Sequence, residues 1–352
     1  MRKIPLNTRT IMVALLALAM VLPMLKSCFS DPPKPIEKGE QQPNNALQSP
    51  VVDPVDIPAF NADSAYYFVK KQVDFGSRVP NSPEHEACAA WIVSEFERMG
   101  LTVIQQKFDA VHYDGTILKS NNIIAQYKPE NPNRVLMAAH WDSRFQADQD
   151  TKRKNQPILG ADDGASGVGV LLELARTLQN HPLEMGVDFI CFDAEDQGND
   201  VDDGQDHSRT WCLGSQHWAQ NLHRSGYSPQ YGILLDMVGA PNPRFDKEGI
   251  SRQVAPIIVD RVWATAADLG YGDAFVQEDG QGITDDHLFV IQHARIPMID
   301  IINRPGVTQS GFVSHWHTHD DNMSAIDKNT LKMVGEVCTS VIYQTHNGTF
   351  FK

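Results

Sequence analysis

The chain has 352 residues, of which 41% are hydrophobic and 8% aromatic, enough apolar material for one large core once its first fifty or so residues are set aside. Thirty basic against 44 acidic side chains give a net charge of −14. That balance excludes a basic nucleic-acid-binding face and makes nucleic acid an unexpected partner.

Arg2, Lys3 and Arg9 precede an apolar run from Ile11 to Leu25, the layout of a secretory signal and too short for a comfortable membrane span. The run ends in Leu25-Lys26-Ser27-Cys28, which looks like the lipobox of a bacterial lipoprotein, with Lys26 where a small uncharged residue is usual. The expectation is an exported, periplasmic protein tethered to a membrane through Cys28, with residues 1–28 as the signal. Residues 29–58 hold seven prolines among Gln, Asn and Glu and read as a flexible tether. Residues 59–352 then form a single catalytic domain, expected to act as a monomer.

Within that domain, Asn61 or Asp63 caps a helix running to Gly76, and a second helix runs from Ser82-Pro83 to Met99. Strands follow at 101–105, 122–127 and 134–139, then a helix at 165–178. Further strands at 187–192, 232–235 and 297–302 alternate with helices near 215–222 and 254–269, and a helix at 328–344 closes the chain. This alternation predicts an α/β sandwich with a largely parallel central sheet. Gly164, Gly167 and Gly169 read as helix-start and packing glycines, since no Lys-Ser or Lys-Thr follows to make a phosphate loop. Cys88, Cys191, Cys212 and Cys338 match no CxxC pattern; buried thiols or a Cys191–Cys212 disulfide are both open.

In open parallel sheets ligands bind at the carboxyl ends of the strands, and here those ends carry acids and histidines. His140-Trp141-Asp142, Asp193-Ala194-Glu195-Asp196 and Asp236 each follow an apolar run, Gly160 to Ala165 opens a helix, and a late loop holds Ser314 to Asn322. Any one of these has a bland explanation as a turn or a cap. Several carboxylates converging on one edge repel unless a cation lies between them, and imidazole with carboxylates but no thiolate points to an open, catalytic zinc site.

From about Asp63 onward the chain resembles animal-type glutaminyl cyclases, which share a zinc aminopeptidase-like fold, a three-layer sandwich with a mixed, largely parallel sheet between helices. The likeness is carried by Phe75 to Pro83, Gly160 to Asp163, Asp193 to Asp196, Leu234 to Pro243, Asp285-Asp286-His287 and Trp316 to Asn322. It implies one zinc held by Asp163, Asp196 and His317, with Asp196 standing where the family has glutamate. It implies Glu195 as proton shuttle, Asp236 and Asp285 as an acidic network beside it, and Trp316 and Thr284 as substrate contacts, Thr284 replacing a glutamine. A tryptophan that the family places soon after its acidic pair has no counterpart in 198–209. The implied reaction closes the N-terminal glutamine of peptides and proteins to pyroglutamate with release of ammonia. Two alternatives remain: a two-zinc aminopeptidase, since His140, Asp163, Asp196, Asp236 and His317 also fill that branch's ligand positions, and an inactive binding ectodomain. His181, His207, His217, His223 and His346 are left to surface or packing roles.

Overall fold

Strands that must be buried on both faces show it in their burial. A computed structural model describes residues 56–352; the signal, Cys28 and all but the end of the tether lie outside them. β3 (Arg134–His140), β4 (Gly186–Phe192), β5 (Gly232–Asp236) and β8 (Met298–Ile302) are buried at every position. They form the parallel part of a six-stranded sheet ordered β1-β2-β4-β3-β5-β8. β1 (Thr102–Val111) and β2 (Ile117–Tyr127) join it antiparallel at one edge. Both are longer than their apolar stretches suggest. Their hairpin pairs from Thr102↔Gln126 out to Val111↔Ile117, because backbone bonding continues through Lys107, Asp109 and Lys119, where hydrophobicity stops.

The period of two along each strand sorts the core into two layers. Met137, Phe189, Leu235 and Ile301 face one layer with α1 (Ala62–Phe75), α2 (Pro83–Arg98), α3 (Ala165–Asn180) and the closing helix α8 (Lys328–His346). Leu136, Ile190, Leu234 and Met298 face the other, with Trp218 and Ala219 of α4 (Leu213–Gln220) and Val290. The three-layer α/β sandwich expected from the alternation is the fold.

Local chemistry sets the element ends. Asn61 caps α1 by accepting from the Ser64 N–H, and Ser82 caps α2 ahead of Pro83. A short helix that was not expected, α5 (Gly249–Val254), precedes α6 (Pro256–Asp268), which is the helix expected over 254–269 and is started by Pro256. A small parallel pair, β6 (Phe245–Lys247) with β7 (Phe275–Asp279), and the one-turn α7 (Asp286–Phe289) lacked a periodic signal. At Gly167 a Cβ would stand 2.4 Å from the Leu235 carbonyl oxygen, so glycine lets α3 lie directly on β5. Among the described residues no helix is long and apolar enough to cross a membrane.

Candidate active site

The carboxyl ends of β3, β4 and β5 deliver His140, Asp193 and Asp236, and the turns that follow are fixed by their own acids. Asp193 accepts from the backbone N–H of Asn121 and Ala194 and faces His85 Nε2 at 2.9 Å. Asp142 accepts from the N–H groups of Glu195 and Asp196 at 3.1 and 3.2 Å and from Gln197 Nε2. Asp321, from the Trp316 to Asn322 segment, accepts from the N–H groups of Asp162 and Asp163, while Asp162 accepts from Gly239 N–H and faces His315. Four non-glycine residues here, Ala194, Cys212, Met237 and His317, have left-handed backbone with φ between 47° and 57°. Strain of this kind persists where surrounding bonds hold it, and here it lies beside the acids that matter.

A cavity of about 160 Å³ opens among Asp163, Glu195, Asp196, Asp236, Thr284, Asp285, Trp316 and His317. Every residue predicted for the site lines it. Trp211, Phe312, Ile302, Ile283 and Met237 supply its apolar surface. A larger groove of about 600 Å³ runs along α2, β1 and β2 and holds none of the predicted site residues.

On one side of the cavity, Asp163, Asp196 and His317 each present a donor atom, all within 4.8 Å of one another. Asp163 Oδ2 and Asp196 Oδ2 are buried and accept no hydrogen bond, a costly state for a carboxylate with nothing to bind. His317 Nε2 lies 3.0 Å from Asp196 Oδ1 and its Nδ1 2.9 Å from Asp148 Oδ1, so a carboxylate faces the nitrogen turned away from the cage. Two carboxylates, one imidazole and an open fourth side suit zinc. The carboxyl of the shorter Asp196 reaches the set, two residues after the left-handed Ala194. A second triple, His140, Asp163 and Asp236, shares Asp163. Its atoms lie as close together: His140 Nε2 sits 3.0 Å from Asp163 Oδ1 and 3.2 Å from Asp236 Oδ1.

Burial dominates the electrostatics. It pushes Asp196 up to about 6, with Asp163 adding repulsion, and Asp236 up to about 8, helped by Asp285 and Asp163. Burial works against protonation of His317, but Asp196 and Asp148 outweigh it and lift the imidazole to about 9. Glu195 rises well above the ordinary carboxyl range through burial and the charges of Asp196, Asp285 and Asp286. Its carboxyl accepts from the Cys212 thiol, Sγ to Oε1 3.2 Å, and Glu195, Cys212 and Asp285 form a tight group. Behind Asp285, the buried Asp300, His287 and Glu248 extend the acidic side inward, His287 Nε2 lying 3.1 Å from Glu248 Oε2.

Residues 122–342 match the sequence profile of Peptidase family M28. The chain belongs to this family. Over 82% of its length it is similar to a glutaminyl cyclase from Bacteroides thetaiotaomicron solved with N-acetylhistamine, at 51% identity and TM-score 0.79, covering 99% of that chain. A structure from Parabacteroides distasonis described as a Zn-dependent exopeptidase is 49% identical over 82% of this chain and 99% of its own, with TM-score 0.80. A glutaminyl-peptide cyclotransferase from Dictyostelium discoideum is 25% identical over 304 residues, 74% of this chain and 79% of that protein. M28 membership alone therefore spans names of both chemistries, and the side chains must separate them.

One expectation is corrected and one open choice is settled within this M28 site. A tryptophan does follow the acidic pair: Trp211, two residues past the stretch 198–209, lines the cavity with its ring nearly parallel to that of His317, 12° between planes and 5.9 Å between centroids. The acidic loop delays it in sequence and returns it in space. Cys191 and Cys212 are not paired; among the described residues all four cysteines are free and buried, Cys191 within β4 and Cys212 against Glu195. Sequence reasoning also missed Asp148, Arg144 and Cys212 as site residues. Only the proximity of Arg144 and Asp148 to His140 in sequence could have flagged the first two.

Proposed function

We propose that the chain is a zinc-dependent glutaminyl-peptide cyclotransferase that closes N-terminal glutamine of peptides and proteins to pyroglutamate. The observation that carries this is the cage of Asp163, Asp196 and His317, with two buried carboxylate oxygens that accept no hydrogen bond, facing a raised-pKa glutamate across a tryptophan-walled cavity. One zinc ion is assigned to the open cage, where it would supply a Lewis acid for the γ-amide carbonyl oxygen.

The chain's own groups do the rest. Glu195 takes a proton from the substrate α-amine as the bond from that nitrogen to the γ-amide carbon forms, and returns it to the amide nitrogen as the carbon–nitrogen bond breaks and ammonia leaves. Burial, with Asp196, Asp285 and Asp286 around it, keeps the Glu195 carboxyl ready for both transfers, and Asp236, itself raised beside Asp285, borders the same cavity. Trp316, Trp211 and Phe312 exclude water that would hydrolyse the amide. Thr284 sits at the cavity wall as the polar contact for the substrate backbone. The basic start, short apolar run and Cys28 support an exported lipoprotein acting in the periplasm.

The test is to incubate purified protein with a Gln-initiated peptide and with an aminopeptidase reporter, following ammonia and free amino acid. Ammonia from the first with no cleavage of the second is expected. Free amino acid without ammonia contradicts the proposal and favours the two-metal peptidase.

A further inference from the structure

Arg78, Arg134 and Arg144 are all fully buried. A buried guanidinium is unfavourable unless its N–H groups are bonded, so its partners reveal its job. Arg78 donates to the carbonyls of Trp141, Leu159 and Gly160, and Arg134 pairs with Asp188 where β3 begins, at the end of the strand opposite His140. Arg144 differs, because its partners belong to the two halves of the site.

Its Nε and Nη2 donate to Asp148 Oδ2 at 3.0 and 2.5 Å, and the other oxygen of Asp148 lies 2.9 Å from His317 Nδ1. Its Nη1 donates to the carbonyls of Asp196 and Gly198 at 3.0 and 2.9 Å. Its flat face covers the Trp211 ring at 4.4 Å from the centroid, and the Phe145 ring is 5.3 Å away. One side chain thus touches the carboxylate that orients His317, the backbone of Asp196 and the wall of the cavity.

We propose that Arg144 is a positioning residue that couples the metal cage to the substrate wall, so that the orientation of His317 and the placement of Trp211 are set together. Arginine is required because four N–H donors and a planar face are used at once; lysine has the charge but one nitrogen and no plane. The metal half of the proposal rests on the zinc assignment above, and the wall half rests on the cavity as substrate seat.

The test compares Arg144→Lys with Asp148→Asn and Trp211→Leu in the zinc-loaded full-length protein. Zinc release to excess chelator, KM and kcat on a Gln-initiated peptide, and the melting curve are read for each. Arg144→Lys is expected to melt cooperatively, to release zinc about tenfold faster or more and to raise KM about fivefold or more. Asp148→Asn should give chiefly the zinc effect and Trp211→Leu chiefly the KM effect, each with a smaller change in the other readout passed through Arg144. Zinc release and KM both within about twofold of the unmodified protein overturn the proposal, as does a lowered melting temperature with neither changed. If Arg144→Lys does not fold, the Asp148→Asn, Trp211→Leu double variant decides: coupling predicts effects about threefold or more away from the product of the single effects, and simple multiplication overturns it. Zinc release needs no substrate, and if the protein does not cyclise, KM is read on the aminopeptidase reporter. Failure of the cyclase assignment therefore stays separate from failure of the coupling.

Discussion

Two buried acidic clusters meet at Asp163 and Glu195, built from the same residue types with opposite outcomes. On the metal side, Asp163 and Asp196 keep oxygens without hydrogen bonds, aimed with His317 at one open point. On the proton side, Glu195, Asp236 and Asp285 carry raised pKa values and lean on a thiol, on His140 and on one another. Burial pushes carboxyl pKa values up in both, but at Asp163 the neighbouring His140 and His317 outweigh it and bring the group below its ordinary range. What distinguishes them is whether the free oxygens converge on an opening, which suits a cation, or on neighbouring acids, which suits shared protons.

Substitutions should split the clusters cleanly. Glu195→Gln is expected to lower kcat by about a thousandfold or more while zinc per chain, read by elemental analysis, stays at the unmodified level. Loss of zinc there would move Glu195 to the metal side. His317→Ala is expected to empty the cage and thereby remove activity, whereas retention of full zinc and full rate would dissolve the metal side as drawn. Cys212→Ala removes the thiol bonded to Glu195 and should reduce kcat about fivefold with KM and zinc unchanged, and Cys212→Ser, which can donate in the same place, should recover most of it. No change in kcat for the alanine variant would mean that Glu195 is oriented by other groups.

The smallest effect lies outside both clusters, where burial outweighs the pull of the nearby Asp188. Burial lowers His223 to about 4, where its ring lies among Trp218 and Tyr227. Between that value and the ordinary pKa near 6.5, the unfolded chain holds a proton that the folded chain refuses. Stability should therefore fall as pH drops through this window, by up to about 1.4 kcal/mol per pH unit from this group. His223→Gln should flatten that part of the curve in chemical denaturation, and an unchanged slope would assign the acid sensitivity elsewhere.

The layers of the fold were legible because β3, β4, β5 and β8 are nearly continuous apolar runs with acids at their ends. The proposed ligands and the shuttle were legible because each stands at such an end or in a motif. Trp211 was not, since an acidic loop separates it from Glu195 in sequence while the His317 ring receives it in space. Arg144, Asp148 and Cys212 were hidden for a related reason: each acts through a contact with a residue from another element, and no periodicity records that. The six-residue α5 was not legible, since so short a helix carries little period.

The division between the two clusters is tested most directly by elemental zinc per chain in the unmodified protein, His317→Ala and Asp285→Asn, measured together. The account predicts about one ion, none, and about one. Two ions in the unmodified protein, or loss of zinc in Asp285→Asn, would contradict it.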